Sequence, residues 1–179
     1  MKCAFLISLR KLTCSIRTAI QMGKPKKTPE ELAEDNKRTD PMGLFNTAEA
    51  YWRAAQALEK AKVKGGHADS PVRLLYYHAI ELYLKALLRQ YYDVDKLSNK
   101  FRHNIKRLAN RAEKLGLVIV DEDRGLLDLM GDTDIVIRAR YSRTGYMVVP
   151  AFDDLNRICE NLRKSVATIL RDAKIMVRL

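Results

Sequence analysis

The chain has few cysteines and no long apolar run, and both shortages narrow its class. Its 179 residues include only three cysteines, Cys3, Cys14 and Cys159, without CxxC or other metal-ligand spacing. Such a sparse, odd set suits reduced thiols in a cytoplasm better than a disulfide framework. No apolar stretch approaches the roughly 18 residues that a membrane span needs. We therefore expect a cytoplasmic protein that does not cross a membrane.

Several catalytic motifs are also absent. The sequence contains no GxxxxGK[ST], no GxGxxG after a strand, no HExxH and no GxSxG, which are signatures of phosphate-binding loops, dinucleotide sites, zinc proteases and serine hydrolases. His78 and Glu81 could form one edge of a metal site, but a metal centre in a helical bundle needs a second such pair on another helix. We predict neither a metal nor a cofactor.

What the chain does have is apolar content and positive charge. With 47% hydrophobic residues over 179 positions, it is expected to form one compact domain with a proper core. The formal net charge of +11 favours an anionic partner such as nucleic acid, a nucleotide or a charged protein. Residues 1–21 contribute four basic residues and no acid, so part of this charge is local.

The first 42 residues are predicted to form a flexible basic extension. Within residues 1–21, the apolar run Cys3–Leu9 is short and lacks a small-residue cleavage site, which argues against a secretory signal. An organelle transit peptide fits the composition, and so does the interpretation that Met22 is the start. The polar, Lys- and Pro-rich lead-in that follows is expected to contain at most a short helical turn after Thr28 and Pro29.

The segment Ser70–Tyr92 is predicted to be the central helix. Ser70 can cap it, Pro71 suits its first turn, and no other Pro or Gly interrupts it. A helical projection places apolar residues on two opposite sides, so we expect the helix to be packed on both. The two sets are Leu75, Ala79, Leu82 and Ala86, and Tyr76, Ile80, Tyr83 and Leu87.

A narrow polar stripe follows the same helix and consists of His78, Glu81, Lys85 and Arg89. One interpretation is an exposed edge, where an i,i+4 pair of Glu81 and Lys85 contributes only about 0.2–0.5 kcal/mol. The other is a partly buried seam that faces a cleft or a second subunit, where loss of one partner would cost about 3–5 kcal/mol. The sequence leaves both open.

Four more helices are predicted around the central one, which makes the fold class all-α. They are, in order, Gly43 or Asn46 to Lys62, Phe101–Leu115, Asp121–Met130 and Asp153–Met176. The first should turn an alanine-rich face towards its neighbour: Thr47, Ala50, Tyr51, Ala54, Ala57, Leu58 and Ala61. Gly116 is a predicted helix stop, and Asp93–Lys100 a polar connection. We expect an up-and-down bundle of four or five helices over residues 43–179.

Two basic segments are candidate anion-binding sites. The helix Phe101–Leu115 carries five basic residues outside its apolar stripe: Arg102, Lys106, Arg107, Arg111 and Lys114. The segment from Asp132 to Pro150 is predicted to be a bend and an extended arm, with Arg138, Arg140, Tyr141 and Arg143 close together. Either set could hold phosphates or, through the tyrosine, stack on a base. Equally, the helix could be a solvated face and the arm could pair with acidic residues elsewhere.

The pattern of these segments is similar to a known superfamily. YYHAIELYLKALL in the central helix, FRHNIKRLANRAEKLGL with His103 and Asn104 at the start of the third helix, and an Arg-Tyr turn before the last helix resemble the HEPN superfamily (higher eukaryote and prokaryote nucleotide-binding domains). The resemblance covers about Gly43–Lys174. It implies an up-and-down, frequently dimeric bundle, with RNA cleavage in toxin-like members and nucleotidyltransferase partners in others.

One feature of the ribonuclease members is missing. They carry an Arg followed four to six residues later by a His near the last helix, whereas the last histidine here is His103. We therefore expect a non-catalytic, self-associating domain that binds RNA or a nucleotide through Arg102, Arg107 and the turn 138–143. The alternatives are a divergent endoribonuclease of a toxin or defence system that uses His78 or His103 across a dimer interface, and a protein-interaction module paired with a nucleotidyltransferase.

Overall fold

The protein is seen in a computed structural model that describes residues 27–61, 69–132 and 148–175. These residues form helices and their connections, and they contain no strand, so the all-α prediction is confirmed. The α-helices are α1 Pro29–Arg38, α2 Pro41–Ala61, α3 Asp69–Leu88, α4 Val94–Lys96, α5 Ile105–Glu113, α6 Asp121–Asp132 and α7 Phe152–Asp172. The chain divides into two compact units, Met1–Glu34 and Asp35–Leu179, and the candidate site belongs to the second.

Helix α1 is longer than the short turn expected after Thr28. Thr28 and Glu31 form a reciprocal capping box, in which the Thr28 N–H donates to Glu31 Oε2 at 2.8 Å and the Glu31 N–H donates to Thr28 Oγ1 at 3.2 Å. Such a box satisfies backbone donors that a helix start otherwise leaves unpaired. It explains why a polar lead-in carries a ten-residue helix.

Helix α3 is the buried centre of the second unit, with α2, α5 and α7 packed around it. Both predicted apolar sides are buried, from Tyr76 and Ile80 on one to Ala79 and Ala86 on the other, and only Leu75 is partly exposed. The two-sided packing is therefore confirmed. The predicted ends are wrong: Ser70 lies inside the helix, and the helix ends at Leu88, after which the Gln90 and Tyr91 amides bond three residues back instead of four.

Helix α2 turns a different face to the core from the alanine-rich one. It begins at Pro41 and buries Phe45, Ala48 and Ala55, with Trp52 partly buried beside them. The predicted face is largely exposed, including Thr47, Ala50, Ala54, Ala57 and Ala61. Aromatic side chains bury about 150–250 Å² each, so Phe45 and Trp52 decide which face is covered and four alanines cannot compete.

The segment predicted as a polar connection is folded. After α4, residues Leu97–Phe101 form one turn of π-helix, and both of its end residues are buried. The chain then turns sharply at Arg102, whose φ of 50° and ψ of −119° are unusual for a residue with a side chain. A conformation of this kind costs about 1–3 kcal/mol, which the surrounding structure must supply.

Helix α5 consequently starts later than predicted, at Ile105. The Asn104 side chain caps it by accepting the Arg107 backbone N–H at 2.9 Å. Its predicted apolar stripe is buried from Phe101 to Ala112, with Leu115 partly so. Gly116 has a φ of 95°, which confirms the predicted left-handed stop.

Helices α6 and α7 complete the core. At the end of α6, a Cβ added to Gly131 would lie 2.3 Å from Lys106 Cβ, so only glycine allows α5 this close. Helix α7 buries an apolar stripe, including Leu155, Cys159 and Leu170, against α3. It ends at Asp172, earlier than the predicted Met176, and Ala173 after it is exposed. Most of the predicted arm, residues 133–147, lies outside the described residues.

Candidate functional site

The polar stripe of α3 is built around one buried carboxylate. Glu81 is 1% exposed, and three side chains reach it. Lys85 Nζ lies 2.5 Å from Oε1, and His103 Nδ1 lies 3.0 Å from Oε1 and 3.1 Å from Oε2. His78 Nδ1 is 4.0 Å from Oε2. A charge removed from water requires such partners, so the exposed-edge interpretation is wrong for Glu81 and the burial expected of a seam is observed.

Arg89 is separated from the rest of the stripe. Because α3 ends at Leu88, Arg89 lies in the following turn, where its guanidinium donates to three backbone carbonyls. These belong to Thr39 at 2.8 Å, Asn36 at 2.8 Å and Tyr92 at 3.1 Å. Arg89 therefore ties the end of α3 to residues 36–39 and does not contribute to the carboxylate seam, which we define as His78, Glu81, Lys85 and His103.

His103 is the most accessible member of the carboxylate seam. Its side chain is 38% exposed, against 29% for His78 and 15% for Lys85. Glu81 accepts the hydrogen of Nδ1, and Nε2 has no hydrogen-bond partner among the described residues. His78 instead meets the Tyr51 ring edge to face, 4.5 Å between centroids, beside a cavity of about 200 Å³ that Leu74 and Leu75 also line.

A second cluster of charge lies on the outer face of α5. An open groove of about 540 Å³ is lined by Tyr92, Lys100, Phe101, Arg107, Asn110, Arg111 and Lys114. The lining therefore contains four cations, two aromatic rings and no carboxylate. We call it the basic groove. Arg107, Arg111 and Lys114 share one face of α5, opposite to the buried stripe, as the helical repeat requires.

Aromatic rings hold two of these cations in place. Lys100 Nζ lies 5.4 Å from the Tyr92 ring centroid and 5.6 Å from that of Phe101, and the Arg111 guanidinium carbon is 5.5 Å from Tyr92. The two rings meet edge to face at 5.4 Å. Contacts of this kind contribute about 0.5–1 kcal/mol each at exposed positions. They position the cations without neutralising them.

The groove cations differ from basic residues elsewhere in their partners. Lys106, next to Arg107 in the chain, pairs with Asp132 at 3.0 Å, and Arg163 pairs with Glu49 at 2.8 Å. Arg124 bonds Glu113, Asn110 and Asp128. Within the described ranges, by contrast, no carboxylate pairs with Lys100, Arg107, Arg111 or Lys114, and Arg111 Nε is a buried donor without an acceptor. The groove therefore retains an unbalanced positive charge.

Another buried carboxylate, Asp123, is fully satisfied within the chain. It accepts the Arg157 Nε hydrogen at 3.0 Å and an Asn161 Nδ2 hydrogen at 2.7 Å. The bond from Arg157 raises the pKa of that arginine above its usual value. Asp123 also borders a mostly apolar cavity of about 220 Å³ that Val118, Leu127 and other side chains line. These contacts join α6 to α7 and have a structural role.

Only some of the predicted anion-binding residues lie in the basic groove. Arg107 lines the basic groove, whereas Arg102 is exposed in the strained turn and is not among the lining residues. Arg138, Arg140, Tyr141 and Arg143 lie outside the described residues and stay a prediction. Tyr92 and Lys100 were not predicted as site residues, because the sequence assigns Tyr92 to the end of the central helix and Lys100 to a polar connection. The available signal was the apolar pair Leu97 and Phe101, four positions apart, and it was weak.

Comparisons with known proteins add no relative: no family model matches the chain, and neither a curated protein nor a solved structure matches it. The HEPN resemblance therefore stays a prediction. No helix in the described ranges is long and apolar enough to cross a membrane. The same residues contain no group of three or more His, Cys, Asp or Glu side chains arranged to hold a metal ion.

Proposed function

We propose that this chain is a non-catalytic, HEPN-like helical domain that binds the phosphate backbone of RNA in the basic groove. The observation that carries the proposal is the set of four groove cations, Lys100, Arg107, Arg111 and Lys114, which no carboxylate neutralises among the described residues. Unbalanced cations in a groove raise the local concentration of anions and release counterions when a phosphate replaces them.

The spacing of the cations favours binding of a nucleic acid strand over binding of a single phosphate group. Arg107, Arg111 and Lys114 follow one face of α5, and seven residues at 1.5 Å each separate the first from the last by about 10 Å along the axis. Lys100 extends the row from the neighbouring π-helix. A row of this length suits successive phosphates of a nucleic acid.

The rings of the groove support backbone contacts over base recognition. Lys100 lies over Tyr92 and Phe101, and Arg111 lies over Tyr92, so the cations compete with a base for these faces. Lys and Arg contacts to phosphates position a strand without reading its sequence. We therefore expect binding that depends strongly on salt and weakly on RNA sequence.

The test is fluorescence anisotropy of the full chain with a short labelled single-stranded RNA across a salt series. The double variant Arg107→Gln/Arg111→Gln should bind more weakly, and its log–log salt slope should be shallower by about 1.4, since each phosphate contact contributes about 0.7 for single strands. The control is Lys106→Gln, the adjacent cation that Asp132 already pairs. Its slope should match the unmodified chain.

Other outcomes separate the remaining hypotheses. A double variant that binds like the unmodified chain would contradict the groove assignment, and the triple variant Arg138→Gln/Arg140→Gln/Arg143→Gln would then be measured. If a mononucleotide competes with the RNA when both are present at the same concentration, a nucleotide site is favoured.

Cleavage of the RNA would contradict the proposal that the domain is non-catalytic. Light scattering with and without RNA tests self-association, and a dimer indifferent to RNA would favour a protein partner such as a nucleotidyltransferase.

A further inference from the structure

We propose that His103 is a phosphoryl-acceptor histidine, oriented by Glu81 and presented at the surface to an activated phosphoryl donor. The donor class is a mixed anhydride or a P–N compound, that is, an acyl phosphate or a phosphoramidate on a partner. The proposal concerns the carboxylate seam and does not depend on the basic groove or on RNA binding.

The first argument is the orientation of the imidazole. Glu81 lies within 3.0–3.1 Å of Nδ1 through both carboxylate oxygens, and Lys85 at 2.5 Å favours the ionised carboxylate. A carboxylate acceptor places the ring hydrogen on Nδ1. The lone pair of a neutral His103 is therefore on Nε2, the nitrogen that a phosphoryl acceptor needs.

The second argument is access. Nε2 has no partner within the part of the chain that the structure describes, and it does not belong to the buried unpaired atoms. It is therefore open to solvent on a side chain that is 38% exposed. The nitrogen that carries the lone pair is the one an external donor can reach.

The third argument concerns what an acceptor requires compared with a general base. A general base acts on a substrate held within hydrogen-bond reach of it. An acceptor needs no substrate site of its own, because the donor protein brings the phosphoryl group in its own site. An oriented and exposed ring nitrogen is therefore sufficient, and His103 has one.

The backbone before His103 supports the same assignment. Arg102 is held at a φ of 50° and its side chain is exposed. Strained conformations persist where the structure over-determines them and cluster at functional sites. Here the sharp turn at Arg102 directly precedes His103, whose ring returns to Glu81, 22 positions earlier in the chain.

The transfer balances without a redox partner. The Nε2 lone pair forms a bond to phosphorus, and the P–O or P–N bond of the donor breaks, with its electron pair going to the carboxylate or amine that leaves. The imidazole gains positive charge, which the ionised Glu81 stabilises through the Nδ1 hydrogen. The product is Nε2-phosphohistidine, which carries the phosphoryl group towards solvent.

The experiment treats the full chain with acetyl phosphate or with phosphoramidate, the two small probes for the two donor types. Mass spectrometry and ³¹P nuclear magnetic resonance follow a phosphate that is stable in alkali and lost in acid. We expect the Nε2 isomer at His103, formed faster than on the other two histidines and on N-acetylhistidine. His103→Asn should remove it, and the control His67→Asn, which changes a histidine that is not part of the carboxylate seam, should not.

Glu81→Gln tests the positioning role. If the variant folds by circular dichroism, phosphorylation should slow by about tenfold or more, by analogy with the 10–100-fold that carboxylates contribute when they orient metal-ligating histidines. If it does not fold, the ratio of rates at His103 and His78 in the unmodified chain decides instead. The proposal is overturned by equal rates on all histidines, by the Nδ1 isomer at His103, by no phosphohistidine, or by an unchanged rate in a folded Glu81→Gln.

Discussion

Helices α3 and α5 carry their charges in opposite ways. On α3, Glu81 is buried, its charge is balanced inside the chain by Lys85, and it accepts a hydrogen bond from His103. On the outer face of α5, Arg107 and Arg111 have no carboxylate partner within the described residues. Charge that is balanced internally holds elements together, whereas charge that is left unbalanced is available to a ligand. Changes in the carboxylate seam should therefore alter stability, and changes in the basic groove should alter binding alone.

The largest expected loss of stability comes from a buried, unpaired aspartate introduced next to Glu81. Ile80 is 0% exposed, adjacent to Glu81 in the chain, and part of the apolar core cluster. Ile80→Asp should cost more than about 4–5 kcal/mol, most of the stability of a typical domain. We expect loss of the cooperative melt by circular dichroism. The control Ile80→Val should cost only about 1 kcal/mol, and normal melting of Ile80→Asp would contradict the central position of α3.

The next effect is a loss of stability in alkali, again from α3. Burial raises the pKa of Tyr76, Tyr77 and Tyr83, and a hydrogen bond to Glu59 adds to the rise at Tyr76. Above about pH 10 the unfolded chain loses these protons and the folded chain keeps them. Stability should fall there, by up to about 1.4 kcal/mol per pH unit for each tyrosine, and well below pH 10 these three tyrosines contribute no slope.

Urea unfolding between pH 8 and 11.5 measures this slope. Tyr83→Phe is the matched variant, because the Tyr83 hydroxyl is buried with no partner among the described residues. It should reduce the slope by one tyrosine's share and raise stability at neutral pH by about 1 kcal/mol. A slope that does not change in Tyr83→Phe would mean that this side chain is ionised in the folded chain.

Lys85→Met should cost about 3 kcal/mol, because it leaves Glu81 in the core without its closest cation. His103 remains beside Glu81 and limits the loss. The double variant Glu81→Leu/Lys85→Met should lose less than the single one, since replacing a buried pair by apolar side chains is often neutral. Denaturant unfolding of both variants checks this. A double variant less stable than the single one would mean that the seam acts through contacts other than the pair.

The smallest effect is expected in the basic groove. Arg107→Gln/Arg111→Gln should change the free energy of unfolding by less than about 1 kcal/mol, because Arg107 is exposed and the contact of Arg111 with the Tyr92 ring contributes only about 0.5–1 kcal/mol. Lys106→Gln, which breaks the ion pair to Asp132, should also be nearly neutral, as partly exposed pairs contribute about 0–1 kcal/mol. Urea midpoints measure both. A large destabilisation by the double variant would mean that the groove cations are structural.

The fold was largely predictable from local signals, with particular failures. Two apolar stripes on α3 predicted packing on both sides, and Gly116 marked the end of α5. The prediction of the buried face of α2 was wrong, because it counted alanine positions and did not weigh the larger apolar area of Phe45 and Trp52. The π-helix was missed because Leu97 and Phe101 are the only buried residues in its turn, too few for periodicity to reveal.

The candidate site was predictable in its residue types and not in its contacts. Glu81 and Lys85 are four residues apart on one helix, so their pairing follows from the helical repeat. His103 is 22 positions from Glu81, and it reaches the carboxylate only because the chain turns back at Arg102. Likewise, Arg107 was expected to bind anions, but Tyr92 and Lys100 join it through the path of the segment between α3 and α5.

By itself, then, the sequence determined the helical class, the central position of α3 and the excess of positive charge, because helix repeat, propensity and net charge are properties of neighbouring residues or of simple sums. Tertiary structure decided which charges are balanced. Whether a cation meets a carboxylate depends on distances of a few ångströms between helices that are remote in the chain, and no local pattern encodes them. That difference distinguishes Lys106, paired with Asp132, from Arg107 beside it.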